Sequence, residues 1–377
     1  MSEPIRVLQV FAALDSGGVS NFVMNLYREM DTEKIQFGFA MTAGEKSLYD
    51  DEVLARGGRI FYFDTTKDIT TNLRMILREE GSFQVVHSHV FFYSGLVLAE
   101  AKKAKVPIRI AHAHNAHTGE ARSLPRLAYE RGMQILIRAN ATHMLGCSEK
   151  ACCYVFGDKI MKDPRAAVMP DGIDCDRFAF NPEMREQVRH EYGLDGKFVV
   201  GHVGHFNPAK NHEKILSVFA EVCRRRADAA LLLVGDGELE QNVRNLAAEL
   251  DLSDKVVFAG AHKDVERFYQ AMDVFLFPSR YEGFGMAMIE AQCSGLRCVA
   301  SDVVPQETNA DGRAVYLPLE DSDESWAESL LKRDDADRSE IKASVVSGFD
   351  VKSICQVQTN IYLNGLNEVY ATSSRNN

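Results

Sequence analysis

Residues Ser279-Arg280-Tyr281-Glu282-Gly283-Phe284-Gly285-Met286-Ala287-Met288-Ile289-Glu290 decide the reading of this chain. They follow the apolar run Val274-Phe275-Leu276-Phe277, closed by Pro278, which predicts a buried strand. A short glycine-bearing loop comes next, then a run that predicts a helix from about Met286. The first turn of a helix leaves backbone N–H groups without intrahelical partners, and the helix dipole favours negative charge there. Strand, loop and helix start at Gly283, Phe284 and Gly285 therefore predict an anion site, with phosphate as the guest. Two carboxylates need a separate reason. Glu290 lies in a small, apolar helical run, where a buried charge is costly unless it finds partners. Glu282 precedes the helix, where it would compete with phosphate. Hydroxyl-rich ligands answer both points, because carboxylates accept hydrogen bonds from sugar and ribose hydroxyls. Eight residues of helix span roughly 12 Å, of the order of the distance between the two sugars of a nucleotide sugar. A capped helix with one solvated and one internally paired Glu fits the stretch equally well.

Outward from this stretch, strands and helices alternate along the chain. Ile5–Phe11, Phe37–Met41, Arg59–Phe63, Val85–His87 and Ile108–His112 read as strands, with helices over Asn21–Met30, Thr71–Glu79 and Ser94–Ala104. A second series begins at Phe198-Val199-Val200-Gly201-His202-Val203-Gly204. It continues through a helix to about Arg225, then Leu231–Val234, Val256–Gly260 and Cys298–Asp302. Trp326–Leu331 and Val351–Leu366 read as terminal helices. This alternation predicts an α/β protein of two parallel sheets, each covered on both faces. Ligands in such folds bind outside the carboxyl ends of strands. His87-Ser88-His89, His112-Ala113-His114 and His117 fall at such ends. Their spacing lacks the Cys or carboxylate ligands of common metal sites, so a lining role is expected. Gly17-Gly18 follows the first strand, but the G-x-G-x-x-G dinucleotide fingerprint is absent.

The chain of 377 residues is 46% hydrophobic and 26% charged, an ordinary globular composition large enough for two cores. No leader is read at the start, no apolar run is long enough to span a bilayer, and eight Cys form no C-x-x-C pair. A reduced, cytoplasmic setting is the expectation. The net charge of -11 falls entirely after residue 180. Residues 121–138 instead read as a basic amphipathic helix starting near Pro125, which offers a face to an anionic membrane or serves as a covering helix. A locally basic patch on an acidic chain excludes broad nucleic-acid binding.

Glu-x7-Glu in its Glu-Gly-Phe-Gly context, after Phe-Pro-Ser, resembles the donor motif of retaining glycosyltransferases of the GT-B fold, more narrowly glycosyltransferase family 4. The resemblance covers essentially the whole chain. It implies two doubly wound Rossmann-like domains facing a cleft: an acceptor-side domain at 1–172, a nucleotide-sugar domain at 173–350, and a helix at 351–377 crossing back to the first. It implies that Glu282 contacts the donor sugar and Glu290 the ribose. Lys210 would clamp the diphosphate, and His205 stands where the family usually has Arg. Gly237 and Glu238 resemble the Gly-Asp-Gly segment near the nucleotide, Lys263 lies in the base-contacting loop, and Gly17 and Gly18 lie near the donor phosphates or the acceptor. His114, with His112 as the alternative, matches the His near the reaction centre. Met169-Pro170-Asp171-Gly172-Ile173-Asp174 resembles the family linker, with Asp171 where Asn is usual. Asp174-Cys175-Asp176 spells a metal motif of another transferase fold and is read as coincidence. The implied reaction needs no metal or further cofactor. A UDP-sugar is the expected donor, and a glycan or polyprenyl-diphosphate-linked acceptor is expected, as in bacterial exopolysaccharide, capsule or O-antigen assembly. A sugar-nucleotide epimerase of the same fold, a non-catalytic nucleotide-sugar-binding partner, and an enzyme for a small soluble acceptor are the alternatives.

Overall fold

The computed structural model describes residues 4–15, 18–81, 83–114, 123–333, 337, 338, 345 and 348–373, with side chains of the last helix as far as 365. The chain divides into two compact units, one of residues 1–172 with 351–377 and one of residues 173–350.

The first unit is built on a seven-stranded parallel sheet. Its strands are β1 (Ile5–Phe11), β2 (Ile35–Met41), β3 (Arg59–Tyr62), β4 (Val85–Ser88), β5 (Ile108–Ala113), β6 (His143–Gly146) and β7 (Ala166–Val168), in the order β3-β2-β1-β4-β5-β6-β7. Helices α1 (Gly18–Glu29), α2 (Asp50–Ala55), α3 (Ile69–Glu79), α4 (Ser94–Lys103), α5 (Leu124–Asn140) and α6 (Glu149–Phe156) connect them. The strand order reverses between β1 and β4, which is where such sheets open a binding crevice. The last helix, Val351–Ser373, packs on α1 and adds Val351, Ile354, Cys355 and Tyr362 to the core of this unit. Phe37, Phe39 and Tyr27 form an aromatic cluster there, with Tyr27 stacked on Phe37 at 5.1 Å.

The second unit holds a six-stranded parallel sheet. Its strands are β8 (Phe198–Val203), β9 (Ala229–Val234), β10 (Val256–Gly260), β11 (Val274–Phe277), β12 (Arg297–Ser301) and β13 (Val315–Leu317), in the order β10-β9-β8-β11-β12-β13. Here the order reverses between β8 and β11. Helices α7 (Cys175–Phe178), α8 (Pro182–Glu191), α9 (His212–Arg225), α10 (Glu240–Glu249), α11 (Glu266–Ala271), α12 (Met286–Cys293) and α13 (Asp323–Leu331) complete the unit, and Trp326 is fully buried in its core. Asp174 accepts a hydrogen bond from the Arg177 amide at 3.1 Å and so caps α7, which gives this Asp-x-Asp a structural role.

Strands β6, β7 and β13 escape the sequence reading: β7 and β13 have only three residues, and β6, His-Met-Leu-Gly, lacks the β-branched and aromatic residues that mark β4 and β11. A larger difference concerns the basic amphipathic helix expected over 121–138. Residues 121 and 122 lie outside the described residues, and the helix runs over Leu124–Asn140, capped by Ser123. Only Glu130 and Ile137 of it are buried, while Leu124, Leu127 and Ile135 are exposed. Its apolar residues are not collected on the covered face. Gly95 lets α4 approach closely, since a Cβ there would lie 3.2 Å from Leu136, so a narrow strip is enough to seat the helix. Among the described residues no helix is long and apolar enough to cross a membrane.

Candidate functional site

In the second unit the reversal of strand order brings two loops side by side, one after β8 and one after β11. Their backbones are stitched together. The Arg280 amide donates to Ala209 O at 2.7 Å, Asn211 Nδ2 donates to Pro278 O at 3.1 Å, and Ser301 Oγ donates to Ser279 O at 2.5 Å. Asn211 takes a left-handed conformation with φ of 56° to make its contact. The result is that Lys210 and Glu282, 72 residues apart, meet: Lys210 Nζ donates to Glu282 Oε1 at 2.5 Å, with side-chain exposures of 19% and 10%. Ser279 Oγ donates to the same oxygen at 2.7 Å, and the Lys210 ammonium lies 4.9 Å from the centre of the Phe277 ring. Gly204 leaves room for the lysine stem, because a Cβ there would lie 3.2 Å from Lys210 Cγ.

The loop after β9 closes over the same region. Gly235 and Gly237 have φ of 139° and 150°, and a Cβ on either would strike the backbone of the β8 loop, at 2.1 Å from Gly204 O and 2.6 Å from Phe206 O. Only glycine permits this approach. The Phe206 amide then donates to Asp236 O at 2.6 Å. His205 sits between two carboxylates, with Nδ1 3.1 Å from Asp236 Oδ1 and Nε2 3.4 Å from Glu238 Oε2, all three more than half exposed. Lys263 is exposed in the loop after β10, where its carbonyl accepts from Arg177 Nη2.

Helix α12 begins beside Glu282. Gly285 is its N-cap in a left-handed conformation, with no side-chain cap, and Gly283 is buried next to it. Phe284 is buried against Phe349, so its side chain serves packing. Glu290 falls one turn into α12. Tyr269 Oη donates to its Oε2 at 2.6 Å, and Arg177 and Lys210 also favour its charge. Burial outweighs these partners and raises the carboxyl above its usual 4.5. Tyr269 and Ser279 were not visible as site residues in the sequence, since their spacing from the two glutamates follows no local repeat.

In the first unit the strand-end histidines form a single layer. Gln9 is in register with His87, and His87 with Ile110, so alternation puts Gln9, His87, His89, His112 and His114 on one face. Phe22 of α1 packs on His112 and His114, each at 5.3 Å. His114 is 4% exposed. Its Nδ1 lies 3.0 Å from Asp171 Oδ1 and its Nε2 2.8 Å from His89 Nδ1, so both ring nitrogens are engaged inside the protein. His112 Nδ1 meets His87 Nε2 at 3.2 Å, while its Nε2 is buried facing the Met169 main chain. Burial holds His87, His89 and His112 well below 6.5, helped by the neighbouring rings, so they are neutral near pH 7. His87, His89 and His112, and likewise His112, His114 and Asp171, are close enough together for a cation, yet most of their nitrogens are aimed at one another. Gly18 opens α1, and among the described residues nothing lies within 4 Å of a Cβ placed on it; Gly17 and His117 lie outside the described residues. Gln9, Tyr362 and Asp171 join this layer without a signal that sequence spacing supplies, apart from the Asp for Asn departure at 171.

Residues 16–177 match the model of Glycosyltransferase Family 4, and residues 184–333 that of Glycosyl transferases group 1. The chain is 33% identical over 372 residues to "Putative glycosyltransferase EpsF" of Bacillus subtilis, covering 95% of this chain and 96% of that protein. It is 27% identical over 241 residues to an Escherichia coli "UDP-Gal:alpha-D-GlcNAc-diphosphoundecaprenol alpha-1,3-galactosyltransferase", covering 62% and 61% of the two chains. Among solved structures, Anabaena Alr3699/HepE in complex with UDP-glucose superposes with a TM-score of 0.78 at 17% identity, over 96% of this chain and 100% of that one. That likeness shows the GT-B fold. The protein belongs to glycosyltransferase family 4 and is a glycosyltransferase of the GT-B fold.

Proposed function

We propose that the protein moves a hexose from a UDP-sugar to a polyprenyl-diphosphate-linked glycan, with retention of configuration, in the synthesis of a cell-surface polysaccharide. The observation that carries this reading is the Lys210–Glu282 pair held at the β8/β11 reversal, next to the start of α12. An ammonium has three donors, so Lys210 can keep Glu282 and still reach a diphosphate oxygen. Together with the α12 N-terminus around Gly283 to Gly285 it would stabilise the departing UDP electrostatically. Glu282 would accept from a sugar hydroxyl and Glu290 from a ribose hydroxyl. His114 is assigned to the reaction centre by family resemblance. With both nitrogens engaged inside the protein it has no free lone pair to act as a base, and its ring edge is what it offers a ligand.

The UDP and lipid-linked assignments draw on the names of the relatives. A surface role for α5 draws on exposed Leu124, Leu127 and Ile135 beside Arg126 and Arg131, a composition suited to the anionic inner face of the plasma membrane. One observation favours a second reading, a nucleotide-sugar-binding subunit without turnover: His205 lies between two carboxylates where a permanent cation is usual.

The test is a thermal-shift panel of UDP-, GDP-, ADP- and dTDP-sugars with chelator present. A ligand at 100 times its Kd adds about 2.7 kcal/mol. A shift with the UDP series alone supports the donor assignment; a shift with another series overturns it. No shift with any donor removes the enzyme reading unless His205→Arg restores one. Conversion of the bound sugar nucleotide without acceptor would identify an epimerase.

A further inference from the structure

The hydrogen bonds of the histidine layer form one unbranched chain with a direction. In order, its groups are His112, His87, Tyr362, Gln9, His89, His114 and Asp171. His87 Nδ1 lies 2.9 Å from Tyr362 Oη, Gln9 Nε2 donates to Tyr362 Oη at 3.2 Å, and His89 Nε2 lies 2.9 Å from Gln9 Oε1. A neutral imidazole has one N–H and one lone pair, so fixing one contact fixes the next. Gln9 Oε1 can only accept, so His89 carries its proton on Nε2. His89 is neutral, so its Nδ1 accepts, and His114 must donate from Nε2. His114 Nδ1 then faces the Asp171 carboxylate at 3.0 Å, where two lone pairs cannot meet, so a second proton lies between them. In the other direction Tyr362 receives from Gln9 and donates to His87, which donates from Nε2 to His112. Every group is used once, and the pair His114–Asp171 holds one proton more than a neutral ring and a carboxylate.

Turning the Gln9 amide over reverses every bond. His114 then donates only to Asp171, accepts from His89, and is neutral. We propose that Gln9 and Asp171 are positioning residues that hold His114 as an imidazolium: the Gln9 amide, whose Nε2 is anchored on Tyr362 of the last helix, sets the direction of the chain, and the Asp171 carboxylate supplies the counter-charge. Among the described residues the titratable groups facing His114 are His87, His89, His112 and Asp171, and Cys147 lies near Asp171. Only the catalytic consequence rests on the site reading above; the protonation state itself does not.

The test uses the whole protein labelled with 15N-histidine, without substrate, at neutral pH. Long-range proton–nitrogen spectra distinguish an imidazolium from each neutral tautomer, and loss of one signal set in His114→Gln assigns it. The expected result is an imidazolium at His114 and Nε2–H tautomers at His87, His89 and His112. Gln9→Leu frees His89 to donate from Nδ1 and should convert His114 to a neutral ring; Asp171→Asn should do the same. A neutral His114 in the unaltered protein overturns the proposal, and so does an imidazolium that persists in Gln9→Leu. Stoichiometric zinc in the purified protein would also overturn it, since a bound ion would take the lone pairs that the chain uses. If either variant fails to fold, the spectrum of the unaltered protein decides alone. Loss of all donor binding would sink the proposed function and leave the spectrum unaffected, so the two failures are separable.

Discussion

The two units use the same architecture and treat their polar groups at the strand ends in opposite ways. In the first unit the carboxyl edge of the sheet is sealed, and the histidine layer and Asp171 are paired among themselves. In the second, the equivalent edge carries charges that remain in reach of solvent: His205, Asp236 and Glu238, and, less exposed, Lys210 and Glu282. A sealed layer gains rigidity and fixed proton positions, and becomes sensitive to anything that changes a proton count. An open layer keeps its charges exchangeable, as the proposed uptake and release of a diphosphate requires.

The contrast breaks most sharply in acid. His87, His89 and His112 are held neutral in the native state while the unfolded chain takes up protons below 6.5, so stability is lost as the pH falls through that value. Each group contributes about 1.4 kcal/mol per pH unit, so the three remove about 4 kcal/mol per unit in that window. In the second unit His202 and His212 act in the same sense, His212 being lowered to about 4. Glu290 acts in the opposite sense: its raised carboxyl stabilises below 4.5 and loses that contribution as the pH rises above it. Acid should therefore unfold the first unit before the second. The only tryptophan, Trp326, lies in the second unit, so far-UV ellipticity should change at higher pH than its emission does. Coincident transitions would erase the contrast.

Removing one member of a sealed pair comes next. Asp171→Ala leaves His114 buried without its counter-charge and should cost about 3–5 kcal/mol in denaturant unfolding, with Asp171→Asn costing less. Gly235→Ala tests the backbone contact in the open unit. Its Cβ would meet Gly204 O, and the strain and overpacking should cost about 3 kcal/mol, with loss of donor-induced stabilisation. Lys210→Ala should leave the fold nearly as stable, because Glu282 keeps Ser279, and weaken UDP binding tenfold or more by calorimetry. Glu290→Gln should have the smallest effect, a few-fold weaker UDP binding; an unchanged affinity would remove Glu290 from the ribose assignment.

Strands β1, β5, β8, β9 and β11 were legible in the sequence because a strand buried on both faces is a short apolar run between turn residues. Glu282, Lys210 and Glu290 were legible as a family pattern. That Lys210 reaches Glu282 was not, because the contact depends on the crossover order of β8 and β11. The histidines were visible as strand-end pairs. Their partners were not, because Gln9, Tyr362 and Asp171 come from the first strand, the last helix and the linker. For α5 periodicity located the helix but not the face a neighbour covers, since that face is set by how closely α4 approaches at Gly95.

The second unit enters after Gly172 and leaves before Val351, and these two points touch: a Cβ on Gly172 would lie 3.1 Å from Val351 Cα, while Ile173 and Asp350 form a parallel bridge. The second unit is thus a long insertion whose two ends meet. During synthesis residues 173–350 emerge as a complete folding unit while the first still waits for the segment that carries Tyr362. The earlier-translated half is the later-finished one, and its histidine layer is among the last features to close.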